Sequence, residues 1–92
     1  MGDVFDALAH PVRRRILKLL GKKPMNAGEI ADHFDLAKPT LSGHFSILKT
    51  AGLISSQRLG TTILYSLNMS VLEEATAAIM EIAAVQPRSG KE

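Results

Sequence analysis

Along most of the chain the apolar positions recur at helical spacing, and in one stretch they alternate instead. Val4, Phe5 and Leu8 make a first short stripe, which predicts a helix from Asp3 to His10 with Asp3 as its N-cap. Pro11 opens a second helix, where its missing N–H costs nothing, and Val12, Ile16, Leu19 and Leu20 line one face until Gly21 ends it. Asn26 and Glu29 stand at capping-box spacing before Ile30, Ala31 and Phe34, so a third helix of about two turns follows. After a turn at Asp35, Leu36 and Ala37, the run KPTLSGHFSILKTAGL brings Leu41, Phe45, Leu48 and Gly52 into a narrow arc of a fourth helix. LISSQRLGTTILYSLN then alternates, and reads as strands Ile54 to Leu59 and Thr62 to Leu67 joined at Gly60 and Thr61. Ser70 and Glu73 repeat the capping-box spacing and start a last helix reaching Val85, striped by Leu72, Ala75, Ile79 and Ile82 with Ala78 and Ala83 beside them.

The fourth helix is unusual on its outer side, which carries Pro39, Thr40, Ser42, Gly43, Ser46 and Thr50, with His44 at the boundary. Ser, Thr and Gly each cost roughly 0.5 to 1 kcal/mol of helix propensity against Ala. A helix that merely faces water has no reason to bear that cost. Taken with the preceding short helix, the segment from Ile30 to Leu48 has helix-turn-helix form, in which the second helix enters the DNA major groove. Small residues let that helix sink into a groove about 12 Å wide, hydroxyls can donate or accept at base edges, and acids would be repelled by phosphate.

Charge supports this reading through its placement more than its sum. The net charge is only +2, yet 36–72 holds no acid and carries Lys38, Lys49 and Arg58, and 10–24 holds six basic residues and no acid. A basic run by itself is more often a solvated face. The chain of 92 residues, 46% apolar, has material for one small core, and a partner subunit would add to it. It lacks cysteine, which removes disulfides, thiolate metal ligands and thiol redox chemistry. The N-terminal segment has neither the basic flank of a signal peptide nor an apolar run long enough for a membrane span, so a cytoplasmic protein is expected. His10, His33 and His44 have no nucleophile or paired carboxylate in their local sequence, which argues against an enzyme.

The runs FDALAHPVRRRILKLL, AGEIADHFDLAKPTLSGHFSILKTAGLI and SSQRLGTTILYSL resemble the ArsR-type winged helix-turn-helix repressors over 4–85, most closely the metal-independent SdpR-like autorepressors. The resemblance implies a dimer that binds an operator, often in its own promoter, through a recognition helix and a wing. His10 and Val12 stand where the family commonly has Asp and Thr, Ala37 where a Ser often caps the recognition helix, and Gly43 where a larger polar residue is common. The change at Ala37 predicts a helix start weaker by about 1 kcal/mol. Metal-sensing members use Cys pairs, or His and carboxylates on the last helix; this chain has no Cys and no His beyond His44, so neither a metal nor another cofactor is expected.

The expected fold is therefore mainly α with a β-hairpin, in the order α-α-α-α-β-β-α, with 1–85 as one DNA-binding and dimerisation domain and 86–92 as a polar, disordered tail. Lys38, Thr40, Ser42 and Ser46 are expected at base edges, with Pro39, Gly43 and His44 on the same surface; Lys49, Arg58, Thr61 and Thr62 are expected to hold the backbone or the minor groove. His44 fits a phosphate contact and a half-buried ring fixing the helix equally well. Arg13, Arg14 and Arg15 lie 100° apart on their helix and cannot all meet phosphate, so one or two of them are structural. The terminal stripes exceed the needs of one core, and Val4, Phe5, Leu8, Leu72, Ala75, Ile79 and Ile82 are expected to form a two-fold interface. Two rival readings stay open: a winged helix that binds a protein partner, and a DNA-binding sensor of a small organic ligand.

Overall fold

A computed structural model describes residues 2–85; the tail expected over 86–92 lies outside them. The order is α1 (Gly2–Leu8), α2 (Pro11–Leu20), β1 (Met25–Asn26), α3 (Ala27–Ala31), α4 (Lys38–Thr50), β2 (Ile54–Leu59), β3 (Thr62–Leu67) and α5 (Met69–Val85). The hairpin strands have the expected bounds. Their sheet has a third member: β1 pairs antiparallel with β3, Met25 opposite Tyr65 and Asn26 opposite Leu64, giving the order β1-β3-β2. A strand of two residues is too short to leave an alternation in the sequence.

Several helix ends differ from expectation, each for a local reason. α1 stops at Leu8 because His10 precedes a proline and is pushed to extended backbone, φ −97° and ψ 128°. His10 becomes the N-cap of α2, its Nδ1 accepting from the Val12 N–H at 3.1 Å. Asp3 lies inside the first turn of α1, where its charge still suits the helix dipole, instead of capping it. α3 is only five residues long. Past its end the N–H groups of His33 and Phe34 turn back to Ile30 and Ala31, the tighter closure of a helix terminus. α5 begins at Met69, so Ser70 falls within the helix and no capping box forms there.

Gly52, expected within the α4 arc, lies just past the helix. It adopts φ +78°, with its N–H on the Lys49 carbonyl and the Leu53 N–H on that of Leu48. This is a Schellman closure, which requires the left-handed backbone that glycine adopts freely, and its apolar pair Leu48 and Leu53 is fully buried. Ile16, Ile30, Leu48 and Leu53 form the centre of the core, joined by Leu17, Leu20, Leu41, Phe45, Met25 and Ile54. Val4 and Ala75 also belong to this monomer core, and Leu8 and Leu72 pack half-buried against it. Of the terminal stripes, Phe5, Ile79 and Ile82 stay exposed, together with Met80. No described helix is long and apolar enough to cross a membrane.

Candidate nucleic-acid interface

α3 and α4 form the helix-turn-helix, and each is started by its own sequence. At α3 the Asn26 side chain accepts from the Glu29 N–H at 2.8 Å while the Glu29 carboxylate accepts from the Asn26 N–H at 2.9 Å, the reciprocal box the spacing predicted. At α4 the N-cap is Ala37, which has no side-chain oxygen to offer, and no side chain caps the helix. Pro39 carries no N–H, so one donor fewer is left for a cap to satisfy at this end. Leu41, Phe45 and Leu48 bury the inner side of α4.

Lys38, Pro39, Thr40, Ser42, Gly43, Ser46 and Lys49 are all exposed, and His44 is half-buried. A methyl group built at Gly43 would meet nothing within 4 Å, so internal packing does not demand glycine there. Beyond α4 the hairpin tip carries Arg58, Thr61 and Thr62, all exposed, around Gly60 at φ +66°. Arg58 Nε bonds the Gly60 carbonyl at 3.3 Å, folding the guanidinium over the tip. The surface also includes apolar side chains that the periodicity did not single out: Ile47 on α4, and Leu59 and Ile63 on the wing.

All three consecutive arginines of α2 bond within the chain. Arg13 donates from Nε to the Ala7 carbonyl at 2.8 Å and from Nη2 to that of Asp6 at 3.1 Å, and Arg14 reaches the Leu8 carbonyl at 2.8 Å. They thereby supply donors to the carbonyls of Ala7 and Leu8, share that of Asp6 with the Ala9 N–H, and complement the dipole of α1. Arg15 donates to the His33 carbonyl at 3.1 Å and lies 4.4 Å from the centre of the Phe34 ring, which ties α2 to the end of α3. One or two structural arginines were expected; the chain itself occupies all three.

Arg13 has a further partner, since its Nη1 lies 3.2 Å from His44 Nδ1. The His44 ring also packs against His10, with centroids 4.6 Å apart. The His44 pKa is held below the ordinary value of 6.5 by partial burial first, then by His10 and the Arg13 guanidinium. Among the described residues no three His, Asp or Glu side chains gather closely enough to hold a metal ion.

Comparison with known proteins assigns this architecture. The family described as "Helix-turn-helix domain" matches residues 8–57. The chain is 49% identical over 75 residues to the transcriptional repressor SdpR of Bacillus subtilis, a match covering 82% of this chain and 83% of that one. Among solved structures, it is similar to an ArsR family transcriptional regulator with a TM-score of 0.84 at 27% identity, covering 91% of this chain and 92% of the other. An ArsR-like regulator from Rhodococcus sp. RHA1 gives 0.81 at 26% identity, covering 95% and 82%. These relatives are regulators of transcription, not enzymes. From its helix-turn-helix, its β-hairpin wing and these likenesses, the chain belongs to the ArsR-type winged helix-turn-helix family of DNA-binding transcriptional repressors.

Proposed function

We propose that the chain is a cytoplasmic, homodimeric repressor of its own gene, placing α4 in the major groove of a palindromic operator and the hairpin tip in the adjoining minor groove, without a metal effector. The observation that carries this reading is the outer side of α4: exposed, free of acids, and built from Thr40, Ser42, Gly43 and Ser46. Lys38 extends it at the start of the helix and Lys49 near its end, where ammonium groups reach phosphate. Arg58, Thr61 and Thr62 lie in the same acid-free run of sequence, on a tip narrow enough for the minor groove.

The dimer is supported by the apolar side chains left on the terminal helices. Phe5, Ile79, Met80 and Ile82 are each more than a third exposed, on two terminal helices that touch each other. A two-fold axis through them would set two recognition helices about 34–36 Å apart, one turn of DNA. Freedom from metal is supported by the ligand inventory. The chain has no Cys, and the Nδ1 atoms of His10 and His44 are already committed to Val12 and Arg13.

The test is fluorescence anisotropy on a duplex from the gene's own upstream region and on a scrambled duplex, across a salt series. Preference for the upstream duplex is expected, and Ser42→Glu should abolish it. Equal loss on both duplexes in that variant would mean that α4 positions the protein without reading bases. Equal weak binding by the parent chain would remove the autoregulatory operator.

A further inference from the structure

Arginine has donors only, so the Nδ1 of His44 facing Arg13 must offer its lone pair, which places the ring's proton on Nε2. His10 is in the same state for an independent reason, because its Nδ1 accepts from the Val12 N–H. Two imidazoles in contact are thus both fixed as acceptors by donors that cannot reverse. Arg13 is meanwhile anchored to the carbonyls of Asp6 and Ala7, so one guanidinium fork links the end of α1 to the middle of the recognition helix. We propose that Arg13 is a positioning residue for DNA reading, that it acts through the unprotonated ring of His44, and that operator grip therefore depends on that ring remaining neutral.

A proton on His44 Nδ1 would turn the acceptor into a donor aimed at another donor and set a cation against Arg13. The groups around the ring reinforce this. His10 comes from the α1–α2 junction and Arg13 from α2. On the α1 side, Asp3 and Asp6 border the groove formed with Ser46, Ile47 and Thr50, two to six residues past His44 along α4. From the sheet, Tyr65 packs on Phe45, and Arg58 lies at the distant hairpin tip. α4 itself brings only Lys38 and Lys49, so no group on the helix favours a charged ring.

The inference rests on α4 reading DNA, and it differs in sign from the other role open to His44. A histidine that contacts phosphate binds DNA more tightly as pH falls, whereas a histidine that positions the helix while neutral releases DNA. In anisotropy at fixed salt from pH 8 to pH 5.5, the parent chain should weaken by up to about tenfold per pH unit, the limit for one excluded proton. His44→Gln, whose side-chain oxygen still accepts from Arg13 and does not titrate, should lose most of that slope whatever its affinity at pH 8. Tighter binding in acid, or an unchanged slope in the variant, overturns the proposal.

A second readout needs no DNA. In the free chain, the NMR amide signals of residues 40–46 should shift along the His44 titration, and this response should vanish in His44→Gln and shrink in Arg13→Lys, which keeps the charge without the fork. Amides that stay still while His44 titrates, or respond equally in Arg13→Lys, overturn it as well. A duplex ignored at every pH counts against the operator reading alone, and the amides then decide the positioning role.

Discussion

Gly43 shows how a position can be unfavourable for the free protein and still suit its surface. It sits in the middle of a helix, where glycine costs roughly 0.5–1 kcal/mol against alanine, and the space around it is open. Gly43→Ala should therefore raise the melting temperature. If the α4 backbone approaches DNA closely there, the same change should weaken operator binding by about tenfold, the equivalent of ~1.4 kcal/mol. Opposite movements in calorimetry and anisotropy would assign the glycine to the groove; a gain in both would free it from that role. The stability of the free chain should itself decline in acid through His44. Its folded-state pKa is depressed, so the unfolded chain takes up the proton first, and stability is whole above 6.5 and is lost as pH falls toward the folded value. The residue scale is also where the sequence was least legible. The contact between Arg13 and His44 spans 31 positions and is made by packing, for which no local pattern exists. The His10 cap, by contrast, was within reach, since any residue before a proline is pushed to extended backbone.

Elements were legible in proportion to the length of their pattern. The hairpin strands are six residues each and their alternation fixed both ends, whereas β1 has two residues and left no trace. The capping box of α3 was visible because its two members are local, but the end of that helix was not, because no glycine or proline marks where the chain tightens at His33 and Phe34. The outer side of α4 was read from what it lacks, acids and bulk. For the wing, Arg58 makes one long internal bond and leaves its other donors available. Arg58→Ala should weaken binding about equally on matched and scrambled duplexes and lower the slope of log K against log salt by about one unit. A loss confined to the matched duplex, with the slope unchanged, would give Arg58 a role in reading shape or sequence instead.

At the scale of the whole molecule, the terminal helices divide their labour. Val4 and Ala75 close the monomer core, while Phe5, Ile79, Met80 and Ile82 remain outside it. That division was not visible in the stripes, because periodicity identifies an apolar side without saying how much of it one core absorbs. Replacing Ile79 and Ile82 together by Glu should shift sedimentation from dimer to monomer, lower the melting temperature through loss of association, and reduce DNA affinity in step. A pair of substitutions that leaves the sedimentation coefficient unchanged would place the subunit contact elsewhere. Asn26 joins two parts of this molecule: its backbone pairs with Leu64 of the wing while its side chain caps α3. Helix pair and wing are thereby both tied to one residue. If α4 and the hairpin tip dock in adjoining grooves as proposed, the pair would work as a fixed-jaw caliper, and an operator stretched by one base pair between the two contacts would have to bend to fit it.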